Sequence, residues 1–426
     1  SLSYRYNTVS AHGLKELLRM AENIRNITGN PVSGPDFHGR QSELKSLRRT
    51  VENGNHVLIL APRRVGKSSV VAEIERLLSE DGWKVVSVDV QHAEDEAGFL
   101  QLMYEAIDES PVELEKTTGE SIRSGIVKFR SMLRGFKAGA AGVKLEVAEN
   151  ESAWEEVANP LRAQIKRLAK TNDRILFAMD ELPIFLSSLL KQSNGNARVQ
   201  RILNWLRSVR QACGSRLPWV LCGSIGLDTF VKNHGLEGSI NDLTEMSVGA
   251  YSEDDATQLL RRLAAAESEF GELPAEVIVD ILNRVGWLLP YYLQLMFHSL
   301  VSIADAQRSR NFPSLEDVAT AYTAAARTNN LGHWSSRLND LLTPDEKRRA
   351  HLLLNRVAAA SDGSTREELL GAFAAAAPQA DVDELQQQLR MLLKLLADDG
   401  YVFEEVGRVR FRSFLLRDFW KQEFEV

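Results

Sequence analysis

The chain has 426 residues, 44% hydrophobic and 26% charged, an ordinary make-up for a soluble globular protein of two or three domains. A net charge of −7 gives no overall attraction to nucleic acid or anionic lipid, so either partner would need a local basic patch. Two cysteines, Cys213 and Cys222, exclude a disulfide framework and a four-cysteine metal site; with no apolar stretch long enough to span a bilayer, the expected setting is the cytoplasm, with no membrane partner.

The start, "SLSYRYNT", lacks the apolar core of a signal peptide. The spacing of Leu14, Leu17, Leu18, Ala21 and Ile24 predicts a helix over residues 14–27, the body of an N-terminal extension spanning 1–33. The glycines and prolines of "TGNPVSGPD" then mark a linker. From about 34 to 245, the apolar β-branched runs "HVLILA", "KVVSVDV", "RILFAMD" and "WVLCGS" alternate with helix-patterned segments. That alternation predicts an α/β domain whose parallel sheet carries helices on both faces. "RGFKAGAAGVKLEVAEN" breaks the pattern and reads as a flexible insertion with a short strand.

From 246 to 335 the pattern is helical: "SEDDATQLLRRLAAAE", "PAEVIVDILNRVG", "PYYLQLMFHSLVSIADA" and "SLEDVATAYTAAA" predict a small bundle. In 336–426, "STREELLGAF" opens with a capping box from Ser364 to Glu367. Next, "DVDELQQQLRMLLKLLADDG" puts Leu385, Leu389, Leu392, Leu393 and Leu396 on one helical face. Finally "YVFEEVGRVRFR" alternates around Gly407 as a hairpin does. Helices followed by a hairpin suggest a winged helix.

The chemistry concentrates in "VLILAPRRVGKSSVVAEIERLL". A strand, a turn ending in Gly66, Lys67 and Ser68, and an amphipathic helix form the setting in which backbone N–H groups cradle phosphates. Pro62, Arg63, Arg64, Val65 and Ser69 complete the turn. Lys67 would neutralise the β- and γ-phosphates and Ser68 would offer a hydroxyl to Mg²⁺. Ala61 stands where the motif has its first glycine, at the exit from the strand rather than at the phosphate wrap. A second strand, "RILFAMDEL", ends in Asp180 and Glu181. On a neighbouring parallel strand, Asp180 would hold the Mg²⁺ of ATP or ADP and Glu181 would orient or deprotonate the attacking water. Ser224, ending "WVLCGS", would reach that water or the γ-phosphate, or simply begin a turn.

Together these stretches resemble the AAA+ class of P-loop ATPases, and more narrowly the STAND group and its archaeal-ATPase-like relatives. "DFHGRQSEL" resembles the box before the first strand in that group, implying that Phe37, Gly39 and Arg40 lie near the adenine. "VGWLLPYYLQLM" resembles the lid motif whose proline, here Pro290, approaches the base, although Leu288 replaces a common glycine. "HWSSRLNDLL" and "RVRFRSFLLRDFW" resemble its winged-helix region. The resemblance implies an ATP-dependent switch of low turnover with a protein partner, and allows a nucleotide-dependent homo-oligomer. Between Arg216 and Arg261 there is no arginine where AAA+ motors usually carry their finger, which argues against a ring motor. Arg63 and Arg64 would touch the γ-phosphate from the same chain, or be solvated or paired with acids.

The alternative is a DNA-associated ATPase. Residues 336–426 carry 13 Lys and Arg against 16 Asp and Glu, a net of −3. The recognition-helix candidate opens with Asp381, Asp383 and Glu384, the wrong charge for phosphates. Arg408, Arg410 and Arg412 share one face of the hairpin, with Glu404 and Glu405 beside them to offset their charge. The acidic helix favours packing or a protein partner over DNA.

Overall fold

The computed structural model describes residues 24–112, 151–224, 235–267, 272–307 and 313–426. The insertion stretch, Lys232 and the predicted N-terminal helix up to residue 23 lie outside them. Residues 24–27, expected as the end of that helix, carry no helix. They begin an irregular segment tied to its surroundings: Arg25 donates to Asp36, Val32 N–H to Ser69 Oγ at 3.1 Å and Gly34 N–H to Glu73 Oε2 at 2.7 Å.

The first half follows the predicted alternation: α1 (Gln41–Glu52), β1 (His56–Ala61), α2 (Lys67–Glu80), β2 (Lys84–Asp89), α3 (Glu96–Glu109), α4 (Glu151–Leu168), β3 (Ile175–Asp180), α5 (Leu182–Leu190), α6 (Gly195–Cys213), β4 (Trp219–Ser224) and β5 (Leu243–Ser247). The strands form one parallel sheet in the order β2-β3-β4-β1-β5. Alternate residues feed two cores. Val57, Ile59, Leu176 and Ala178 face one side; Leu58, Ile175, Phe177 and Met179 face the other. This two-sided burial is why the strands read as continuous apolar runs. One expectation needs correction: the strand bearing Asp180 is not the neighbour of β1. β4 lies between them, pairing Val220 with both Val57 and Ala178. Because all five strands run parallel, the ends of β1, β3 and β4 still open on one edge, where ligands of such sheets bind.

The helices α7 (Glu253–Ala266), α8 (Ala275–Val285), α9 (Pro290–Gln307) and α10 (Leu315–Ala326) follow. Ser252 caps α7, and a capping box of Ser314 and Asp317 opens α10. After α11 (Gly332–Leu341) and α12 (Pro344–Ala359) come β6 (Ser364–Thr365), α13 (Arg366–Ala376), α14 (Val382–Asp398), the hairpin β7 (Val402–Glu405) and β8 (Arg408–Phe411), and α15 (Phe414–Glu423). The capping box of α13 is Thr365 with Glu368, one residue later than expected; Ser364 and Thr365 both pair with β8. The five leucines predicted to share one face of α14, Leu385, Leu389, Leu392, Leu393 and Leu396, are all buried.

Two features hold this C-terminal part in place, one of them reaching the sheet. One apolar core runs without interruption from the α2 face of the sheet through α7–α10 to Trp420. A buried ion pair, Arg337 to Asp399 at 2.6 and 2.8 Å, links α11 to the end of α14.

Candidate nucleotide-binding site

β1 ends at Ala61, which is fully buried, and five residues later Gly66 caps α2 at φ 95°. That left-handed conformation is close to free for glycine and costs other residues about 1–2 kcal/mol. The turn leads into the first turn of α2, whose N–H groups have no acceptor within the helix and make an anion-binding end. Lys67 is buried at 6% exposure, and its Nζ donates to the Ala61 and Pro62 carbonyls at 3.2 and 3.3 Å. The ammonium is therefore folded back over the turn, the position from which it can meet an anion lying on the loop.

Ser68, next on α2, donates from Oγ to Asp180 Oδ2 at 2.8 Å. A hydroxyl and a carboxylate at this separation form an oxygen donor set of the kind hard divalent cations take. Asp180 Oδ1 accepts from the Glu181 N–H at 2.8 Å. Glu181 adopts a left-handed φ of 56° between β3 and α5, a strained setting for a non-glycine residue. Its Oε2 is buried with no hydrogen-bond partner. Burial pushes this carboxyl above its ordinary value, Lys67 pulls it back, and Asp180 adds to the rise. The outcome is a carboxyl with a free oxygen beside the loop.

Lys67, Ser68 and Glu181 border a cavity of about 280 Å³. Its wall includes Phe37, Arg40, Arg63 to Ser69, Glu181 and Pro290, so most of the residues singled out from the sequence meet here. Gly39, Pro62 and Asp180 stand behind the wall. Gly39 instead packs so closely that a Cβ would lie 3.3 Å from the Tyr251 ring. Ser224 ends β4 in register with Ala61.

The two turn arginines diverge. Arg64, also on the cavity wall, is engaged by protein: it donates to the Gly29 carbonyl at 3.1 Å, approaches His333 at 3.4 Å and lies 4.5 Å over the Tyr291 ring. Arg63 lines the cavity, and burial lowers its pKa while Glu181 and Asp399 act against that loss. Arg40 is a brace rather than a free cation. Its guanidinium donates to the Val65 carbonyl at 3.1 Å, the Gly249 carbonyl at 2.6 Å and Glu43 at 3.0 Å, and rests on the Tyr251 ring. It fixes the phosphate loop to the segment entering α7.

Sequence reasoning missed part of the wall. Ile24, Ile27 and Val32 come from the segment read as helix and linker, and Tyr251, Leu259, Tyr291 and Gln294 from the helical region. Gln294 carried one usable signal, its i+4 spacing from Pro290; the others had none, being brought together only by the fold.

Solved structures with the same architecture include a Walker-type ATPase of Pyrococcus abyssi, 18% identical over 94% of this chain and 100% of that one, with a TM-score of 0.61. The ORC2 protein of Aeropyrum pernix, in its ADPNP–ADP complexes, is 14% identical over 95% of this chain and 99% of that one, at 0.58. This chain has the AAA+ P-loop ATPase fold. No family model matches the sequence, and no curated protein matches it. At these identities the likeness extends to the AAA+ fold; the argument for what the site does rests on the chain's own residues.

Proposed function

We propose that this AAA+ chain binds and slowly hydrolyses ATP as a molecular switch of the STAND type, with residues 246–335 as a lid and 336–426 as a winged-helix module. The observation that carries the reading is the conjunction at the turn: the folded-back Lys67, the Ser68–Asp180 bond at 2.8 Å and the unpartnered Glu181 oxygen on one cavity. Backbone N–H groups of residues 64–68 and Lys67 bind the phosphates. Mg²⁺, held by Ser68 and Asp180, would supply charge neutralisation on the phosphates when bound. Glu181 accepts a proton from water at its free oxygen. Arg63, on the cavity wall, adds positive charge from within the same chain, in the role that ring motors give to a neighbouring subunit.

The same turn touches the C-terminal module, which supports the coupling. Pro62 lies against Gly400, where an added Cβ would come within 3.0 Å of it, and Arg64 meets His333. A γ-phosphate contacted by Arg63 and Lys67 in one state and not the other would bias these contacts. The experiment is the mass and shape of the full chain in solution with ATP, with ADP and with neither. A nucleotide-dependent change in radius or in oligomeric state is expected; identical particles in all three conditions contradict the switch.

A second reading, a DNA-associated ATPase, is favoured by Arg408 and Arg410 sharing the outer face of β8, with Val409 and Phe411 buried beneath. Against it, Arg408 donates to the Gly363 carbonyl, Arg410 to the Asp362 carbonyl and Arg412 to the Val402 carbonyl. Glu404 pairs with Arg366 rather than with the hairpin arginines, and Glu405 lies 3.6 Å from Arg410. Salt-sensitive duplex binding that disappears on replacing the three arginines would favour DNA over the switch.

A further inference from the structure

One polar group in the cavity wall has no use in the phosphate chemistry. Gln294 lies on α9 four residues after Pro290, so the two project from the same side of the helix. It is 8% exposed and lines the cavity. Its backbone carbonyl accepts from Asn26 Nδ2 at 3.2 Å, but no hydrogen-bond partner for its carboxamide is found among the described residues. Asn26 Oδ1 and Glu181 Oε2 are also without a partner at this end, whereas the following groups are engaged. Asp36 accepts from Arg25, and the His38 ring nitrogens face the Asp255 carbonyl and Arg262. The Tyr251 hydroxyl donates to the His38 carbonyl and that of Tyr291 to the Asn330 carbonyl. A carboxamide on a cavity wall with no protein partner has its donor and its acceptor free for a ligand. The same cavity wall carries Ile24, Ile27, Val32, Phe37, Leu259 and Pro290, apolar surface of the kind a flat ring packs against.

We propose that Gln294 reads the nucleotide base, and that it selects adenine over guanine. This rests on the nucleotide reading above. A carboxamide presents one acceptor and one donor side by side. Adenine offers their complement, the N6 amino donor next to the N7 acceptor, whereas guanine offers O6 and N7, two acceptors that call for a two-donor group such as arginine. The Asn26 bond to the Gln294 backbone carbonyl ties the N-terminal segment to α9 at this point.

The test measures binding of ribose-labelled fluorescent ATP, ADP and GTP to the full chain by anisotropy, for the parent and for Gln294→Met. Methionine keeps the length and helix preference and removes both hydrogen-bonding atoms. ATP and ADP should weaken by the same factor, about tenfold, with GTP unchanged. A purely structural role would weaken all three together and lower the unfolding temperature. An ATP to GTP ratio equal to that of the parent overturns the assignment to Gln294 alone; a parent chain that binds none of the three overturns the nucleotide reading with it. If the methionine variant does not fold, Gln294→Glu reads the same point. It keeps the acceptor for the amino group, loses the donor to N7, and must lower ATP relative to GTP; an unchanged ratio again overturns the proposal.

Discussion

In the proposed hydrolysis, Glu181 is the residue on which turnover depends. Its Oε2 has no partner, and burial holds its carboxyl above the ordinary value of 4.5. A base must be deprotonated to act, so the sign follows: turnover rises with pH through the elevated pKa, and the rising limb lies above 4.5. Glu181→Gln should keep ATP binding, lose about 100-fold or more in turnover, and lose that limb. A variant with parental turnover would remove Glu181 from the mechanism. The residues of the turn were legible in sequence because phosphate chemistry fixes them locally: a strand, a short turn, Gly66, Lys67 and Ser68 within a dozen positions. Gln294 and Tyr251 were not, because their place on the wall depends on how α9 and the approach to α7 fold back over residues more than two hundred positions earlier. Arg40 was legible as a site residue but not as a brace, since its acceptors are backbone carbonyls that no side-chain pattern announces.

At the scale of elements, strand and helix positions were legible wherever burial is periodic, as in the five leucines on one face of α14 and the two-faced strands β1 and β3. Strand order was not, because nothing local records that β4 inserts between β1 and β3. The capping box of α13 slipped by one residue because Ser364 and Thr365 both satisfy the pattern and nothing local chooses between them; the structure uses Thr365. The junction of α11 with the end of α14 rests on Arg337 and Asp399, 2% and 1% exposed. Removing one member of such a pair leaves a buried charge without its counter-ion. Asp399→Asn should therefore cost about 3–5 kcal/mol, read as a lowered midpoint in denaturant. A loss below about 1 kcal/mol, the scale of exposed pairs, would mean that water reaches Arg337.

For the whole molecule, the phosphate loop lies where three parts of the chain converge. Its exit strand belongs to the sheet, Arg64 meets Gly29, Tyr291 and His333, and Pro62 abuts Gly400. Gly400 has a φ of 94° and sits where a Cβ would be 2.7 Å from Trp287, so the C-terminal turn approaches the loop more closely than another residue would allow. In the proposed switch, a ligand on the loop would act through these contacts of Arg64 and Pro62. Whether the turn takes a triphosphate is tested most directly by calorimetric titration of Mg·ATP into the parent chain and into Lys67→Ala. Saturable binding by the parent and a loss of about 100-fold in the variant are expected; equal affinity in the two, or no heat from either, would contradict the nucleotide site on which the switch depends.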